Sequence, residues 1–217
     1  MSVASKTSRS VGRPPDVQLK DRRRSEILEA ATSIFSKRGY APTDVQEIAA
    51  LAAVGKGTVY RYFPGKEELF LSTVDHGMRK LREAVDLAAN REEMPLHRLA
   101  AGVLAYLTFF DEHPEVVELF VQERAYFRDR QKPTYFVHQE ASLGPWRALF
   151  QDLLETGVVR SNLSAERITV FISDLLYGMM FTNYFGGRKS TPDAQCHDAL
   201  DIIYSGILTK SEEVKSA

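Results

Sequence analysis

The nine residues Gly55 to Phe63, GKGTVYRYF, should make a poor helix, yet they lie between two strongly helical patterns. Gly57 costs a helix about 1 kcal/mol relative to alanine, and the β-branched Thr58 and Val59 add smaller penalties. Val59 and Phe63 are four residues apart, which places both on one side of a helix. Lys56, Gly57, Thr58, Tyr60 and Tyr62 remain for the opposite side. A weak helix anchored by two apolar residues and loaded outside with donors needs a reason beyond folding.

Working outward, the preceding PTDVQEIAALA (Pro42 to Ala52) has Thr43 and Gln46 at the spacing of a capping box, with Val45, Ile48, Ala49 and Ala52 along one face. A tight turn at Ala53, Val54 and Gly55 joins this short helix to the next. Two short helices joined by such a turn make a helix-turn-helix, whose second helix enters a DNA major groove. Upstream, Ile27, Ala31, Ile34 and Phe35 repeat at helical spacing from Arg22 onward, and Gly39 supplies the stop. Downstream, Pro64 closes the segment. GKEELF then opens a long helix, with Glu67 and Glu68 at its positive end and Leu69, Phe70, Val74, Met78, Leu81 and Val85 along it.

Charge supports a polyanion partner for this part of the chain. The net formal charge is −1, but residues 1–66 carry 12 Lys/Arg against 6 Asp/Glu, while the remainder carries 16 against 23. A basic third on an otherwise acidic chain is the footprint of nucleic-acid binding, and a solvated basic tail gives the same count. Lys56 can donate to guanine O6 and N7, and Thr58 and the tyrosine hydroxyls can reach phosphates or base edges. Gly57 lets backbone approach DNA, while the free N–H groups of that first turn attract phosphate. Lys66, at the start of the long helix, suits a further backbone contact. Tyr60 and Tyr62 also fit a purely packing role.

Ile27 to Phe70 resembles the DNA-binding domain of the tetracycline-repressor-like (TetR) family of bacterial transcriptional regulators. The residues that carry the resemblance are Ala30, Ala31, Phe35, Gly39, Tyr40, Thr43, Ile48, Ala49, Val54, Gly57, Thr58, Tyr60, Phe63, Lys66 and Leu69. It implies a homodimeric repressor of a pseudo-palindromic double-stranded DNA operator, released by a small-molecule effector. It also implies base contacts from Lys56, Gly57 and Tyr60, and phosphate contacts from Thr43, Thr58, Tyr62 and Lys66. Two positions depart from the family pattern. Ala53 stands where glycine is usual in the turn, and Gly55 stands where serine usually caps the recognition helix.

The remaining sequence predicts an all-α fold. Pro95, Pro114 and Pro192 suit first helical turns, Thr191 and Ser164 suit caps, and Gly157 and Gly186-Gly187 suit helix ends. The expected organisation is a disordered basic arm over 1–20, a helix-turn-helix domain over 21–66, and a helical regulatory and dimerisation domain over 67–217. The arm's Arg9, Gly12 to Pro15 and Lys20, with the Arg22-Arg23-Arg24 run, offer an arginine for a minor groove, but a generic electrostatic tail is the better account of them. Aromatic residues crowd the helical faces of the last domain. The expected lining of a ligand cavity there is Tyr106, Phe110, Phe120, Arg124, Phe127, Gln139, Trp146 and Tyr177, with His138 and Glu140 as further polar candidates. That composition favours a largely apolar or aromatic effector.

The segment ITVFISDLLYGMMFTNYF (Ile168 to Phe185) is apolar nearly all round and needs cover on two sides. With the stripe Ala199, Leu200, Ile203 and Ile207, it predicts a homodimer through helices near 165–186 and 192–209. Catalytic residues, metal ligands and cofactors are not expected: the five histidines lack metal-binding spacing, and phosphate-loop and nucleophile-elbow patterns do not occur. The competing class is an all-α small-molecule-binding protein or cryptic enzyme with a structural N-terminal unit. The longest uncharged run, Leu175 to Gly187, is too short for a membrane span of ~20 residues, and the lone Cys196 fits a cytoplasmic setting.

Overall fold

The computed structural model describes residues 17–187 and 190–209, and these are helical throughout apart from turns and one isolated bridge between Val159 and Leu208. Nine helices run among the described residues: α1 (Val17–Arg38), α2 (Val45–Leu51), α3 (Lys56–Tyr62), α4 (Lys66–Ala89), α5 (Pro95–Glu112), α6 (Pro114–Tyr126), α7 (Thr134–Glu155), α8 (Ala165–Gly186) and α9 (Pro192–Ile207). The all-α expectation holds.

Several boundaries have the chemistry the sequence suggests. Gly39 ends α1 with φ of 87°, a left-handed conformation that favours glycine. Ser164 caps α8 by accepting from Arg167 N, and Thr191 caps α9 by accepting from Ala194 N. Pro95, Pro114 and Pro192 each sit in a first helical turn, where the missing N–H costs nothing.

Two boundaries differ. The helix α1 starts at Val17 rather than near Arg22, so residues 17–20 are not arm but helix. The arginine run is helical with it: Arg22 and Arg23 pair with Glu26, and the Arg24 guanidinium lies 5.1 Å from the centroid of Phe63. Arg9 and Gly12 to Pro15 lie outside the described residues. The second difference is the cap of α2. Asp44, not Thr43, is the capping residue, its Oδ1 accepting from Gln46 N at 2.8 Å. Thr43 is turned inward, donating its hydroxyl to Gly39 O at 2.7 Å, so the expected Thr43–Gln46 box does not form.

Phe35, Val59, Phe63 and Phe70 are essentially inaccessible to solvent and tie α1, α3 and α4 into one core. Burying side chains of this size contributes about 1.5–3 kcal/mol each, enough to hold α3 despite its low helix propensity. The core continues into the body: Tyr40 packs against Phe70 and Phe127 at ring separations of 5.0 Å, and Gln122 of α6 donates to Phe35 O at 2.9 Å. The long helix α4 belongs to both units, meeting α1 on one side and α5 and α7 on the other.

Candidate nucleic-acid interface and effector cavity

In the helix-turn-helix, α3 turns Val59 inward and leaves Lys56, Gly57, Thr58, Tyr60 and Arg61 at least partly accessible. Tyr60 is the most exposed aromatic residue of the helix-turn-helix, at 41%. A Cβ built on Gly57 meets nothing within 4 Å, so internal packing does not require glycine there. Tyr62 is half-buried against the core beside Phe63 and divides its surface between packing and solvent. Thr43 is the exception among the expected contacts, being 4% exposed with its hydroxyl already engaged.

The two lysines are pre-engaged. Lys56 Nζ donates to Asp44 Oδ1 at 2.9 Å, and Lys66 Nζ donates to Ala41 O at 2.8 Å while lying 4.9 Å from the Tyr40 ring centroid. Its hydrogen bond to the Asp44 carboxylate holds the Lys56 ammonium above its ordinary pKa, whereas burial lowers that of Lys66. Asp44 is itself held below the usual carboxylate range, first by the Gln46 N–H and then by Lys56. Asp44 and Arg61 are the outward residues the sequence reading missed. Asp44 could have been found by weighing it against its neighbour Thr43, since aspartate is at least as good a helix cap.

The turn between α2 and α3 resolves the two departures in the motif. Ala53 adopts φ of 52°, making it the one non-glycine residue with positive φ among the described residues. Gly55 caps α3 with φ of −75° and ψ of 147°, an extended conformation open to any residue, and provides no side-chain cap. Glycine and alanine are therefore placed oppositely to their backbone preferences.

In the body, α4, α5, α7 and α8 line a half-open cavity of about 130 Å³. Its apolar lining includes Leu81, Val103, Trp146, Phe150 and Leu176, and Tyr106, His138, Gln139, Ser142 and Ser173 are among the polar side chains beside them. The Trp146 indole is seated where Gly102 leaves space: a Cβ on Gly102 would lie 2.6 Å from Trp146 Cη2. His138 Nε2 is 2.7 Å from Asp75 Oδ1, linking α7 to α4, and Gln139 donates to Ser173 Oγ at 2.6 Å. Burial pushes the Tyr106 and Tyr135 hydroxyls well above the usual tyrosine range, and the two are bonded to each other at 2.9 Å.

Of the expected lining, Tyr106, Gln139 and Trp146 reach this cavity. Phe120, Arg124 and Tyr177 instead border a separate groove with Phe136 and Phe181. Phe127 stacks on Phe70 at the junction of the two units, and Phe110 packs between Tyr106, Phe109 and Phe120 in the core. Helical periodicity identified these as buried aromatics, and only the crossing of helices decides which ones border a void. His138 does line the cavity, whereas Glu140 is exposed and pairs with Lys132. Buried Glu123 is structural, accepting from Thr134 N, Thr134 Oγ1 and Arg130.

The expected dimer stripe is also redirected. Ala199, Leu200 and Ile203 are buried within the subunit, where α9 packs on α5. The apolar residues most exposed on these two helices are Phe171 (64%), Phe185 (67%) and Ile202 (72%).

A helix-turn-helix reader joined through one long helix to an aromatic, cavity-bearing body defines a DNA-binding transcriptional regulator. Residues 27–73 match the bacterial regulatory proteins of the tetR family. The chain is similar to the HTH-type transcriptional repressor KstR2 of Mycobacterium tuberculosis, with 29% identity over 198 residues, covering 85% of this chain and 92% of that one. The HTH-type transcriptional regulator YhgD of Bacillus subtilis is 36% identical over 104 residues, which span 48% of this chain and 53% of YhgD. The same fold occurs in the FadR regulator of Bacillus subtilis, solved with stearoyl-CoA, at a TM-score of 0.68 and 19% identity over 84% of this chain and 98% of that one. The match to the tetR family thus covers the helix-turn-helix and the start of α4, and the similarity to KstR2 extends it over most of the chain. No described helix is long and apolar enough to cross a membrane.

Proposed function

We propose that this protein is a cytoplasmic homodimeric repressor whose operator affinity is set by a small, largely apolar effector in the α4–α5–α7–α8 cavity. One observation carries the reading: the helix that walls the cavity with Met78, Leu81 and Val85 is the helix that supports the DNA-reading unit. Near its middle, α4 is tied on both sides. His76 and Lys80 bind Glu29 of α1, each at 3.0 Å, and Asp75 binds His138 of α7. A ligand that displaces His138 or Trp146 therefore acts on α4, and α4 acts on α1. In a dimer this changes the separation of the two recognition helices from one DNA turn of ~34 Å.

The DNA contacts of this reading are Lys56, Gly57, Thr58, Tyr60, Tyr62 and Lys66. The effector contacts are the cavity residues Tyr106, His138, Gln139 and Trp146. A void of about 130 Å³ is close to the ~150 Å³ that accommodates one benzene ring, so a compact aromatic compound fits as the structure stands. A long-chain ligand of the kind seen with FadR requires side-chain displacement first. The second copy covers Phe171, Phe185 and Ile202, which a monomer would leave in water.

The test is selection of bound duplexes from a random DNA pool, repeated with a panel of aromatic and acyl compounds. An enriched palindrome lost on addition of one compound is the expected outcome. A pool without enrichment would remove the repressor reading. Light scattering checks the assembly: Phe171→Asp should shift a dimer toward monomer, and a monomeric wild-type protein would refute that part.

A further inference from the structure

We infer that Asp44 is a specificity-determining residue, which holds Lys56 in an internal ion pair and so restrains it from binding DNA backbone indiscriminately. The inference rests on the regulator reading above. One carboxylate oxygen, Asp44 Oδ1, receives both the Gln46 N–H at 2.8 Å and Lys56 Nζ at 2.9 Å. The first bond fixes the carboxylate at the start of α2, and the second aims the recognition-helix lysine at it. Both side chains are open to solvent, at 59% and 40%, so the pair lies on the face that would meet DNA rather than in the core.

The surrounding charges leave Asp44 as the partner for Lys56. On α2, Glu47 is engaged by Arg38 at 2.8 Å, and Lys66 is bonded to Ala41 O. The face thus presents an acidic group between two lysines. A generic phosphate offers Lys56 only what Asp44 already provides, one anionic oxygen, and it must approach the Asp44 charge to do so. A guanine edge offers two acceptors, O6 and N7, without a formal charge to repel Asp44. The ion pair therefore penalises contacts to backbone more than contacts to the correct base. Its effect is to raise the ratio of specific to non-specific binding rather than affinity itself.

Asp44→Asn is the discriminating variant, because asparagine caps a helix as well as aspartate while losing the charge. Binding is measured by fluorescence anisotropy over a salt series, on a 40-base-pair duplex of random sequence and on a duplex enriched from a random pool by the wild-type protein. Affinity for the random duplex should rise roughly three- to tenfold at low salt, with the salt slope steeper by ~0.9 for each lysine released. Affinity for the enriched duplex should rise less than about twofold, so that specificity falls. In a Lys56→Ala background the same substitution removes only the repulsion between the Asp44 charge and phosphate, so the gain on the random duplex should shrink to less than about twofold and match that on the enriched duplex. Equal gains on both duplexes in the otherwise wild-type protein, a gain on the random duplex undiminished without Lys56, or no change would each overturn the inference. A wild-type protein that binds neither duplex would instead overturn the regulator reading, and the inference would fall with it.

Discussion

In the N-terminal unit, α3 buries Val59 and Phe63 and turns Lys56, Gly57, Thr58 and Tyr60 outward. In the body, α7 turns His138, Gln139 and Trp146 inward on a cavity and leaves Glu140 and Arg147 in water. The first arrangement puts chemistry on the surface of seven residues held by a small, fully packed core. The second puts it in a space that exists only because four long helices cross at a particular separation. The reader should therefore tolerate changes to its outer face, with consequences for DNA alone. The body should register a change of one methyl group in both its stability and its ligand.

The largest effect should come from removing the anchor of the reader. Phe63→Ala empties a site with 1% exposure, under Arg24 and next to Val59, and should cost about 3–5 kcal/mol by denaturant unfolding, with DNA binding lost. A variant that unfolded like the wild type yet still lost DNA binding would show that the anchor positions α3 without contributing to stability. Next should be Gly102→Ala in the body. The added Cβ, 2.6 Å from the indole, must push Trp146, at a cost of ~1–3 kcal/mol. Trp146 is the only tryptophan, so its fluorescence should report that displacement and the arrival of an effector. Unchanged emission in this variant would contradict the tight seating of the ring.

Outer-face substitutions should divide by what they touch. Tyr60→Ala should reduce operator preference by ~1–3 kcal/mol with little change in unfolding, measured on matched and mismatched duplexes. Lys66→Ala should weaken all duplexes alike and flatten the salt slope by about one unit. If Tyr60→Ala and Lys66→Ala had the same profile, the division into base and backbone contacts would not stand.

These differences also explain what was legible from sequence. The reader could be found because its requirements are local: Val59 and Phe63 four apart, a turn, a stop at Gly39 and an amphipathic neighbour fall within a few dozen residues. The cap was misassigned by one position because Thr43 and Asp44 are both good caps, and what decides is which side chain the Gly39 carbonyl captures. In the body, periodicity correctly marked Phe110, Phe120 and Phe127 as inward. It could not place Phe127 against Phe70 or Phe120 against the outer groove, because those are contacts between helices far apart in sequence. The same limit applies to α9, whose residues Ala199, Leu200 and Ile203 are buried within the subunit, where α9 meets α5.

Acid should loosen the connection between the two units. Glu29 is lowered to about 2 from 4.5, chiefly by its hydrogen bond with His76, with Lys80 also lowering it and burial opposing. A carboxylate depressed in the folded state stabilises that state fully above pH 4.5, and the contribution is lost as pH falls toward 2. Glu29→Gln should therefore flatten the acid limb of the stability profile in that window and leave the limb above neutrality unchanged. A parallel loss in wild type and variant would show that other carboxylates set acid stability.

The smallest effects test the turn itself, where the two residues are exchanged relative to their preferences. At Ala53, φ of 52° forces a Cβ into the left-handed region, so Ala53→Gly should relieve the strain. Glycine's greater freedom in the unfolded chain offsets part of this, leaving a gain of about 0.5–1 kcal/mol. At Gly55 the backbone is extended, a Cβ meets nothing within 4 Å, and the N-terminus of α3 lacks a side-chain acceptor. Gly55→Ser supplies one and should add roughly a few tenths of a kcal/mol. Since the positions are two apart in one turn, the double variant need not be additive, and its deviation measures their coupling. A loss of stability at Gly55 would mean that the backbone there needs glycine, against its extended conformation and open surroundings. A gain at both positions would identify the turn as strained by composition rather than by the fold, and would leave Gly57 as the one glycine of this segment that only DNA explains.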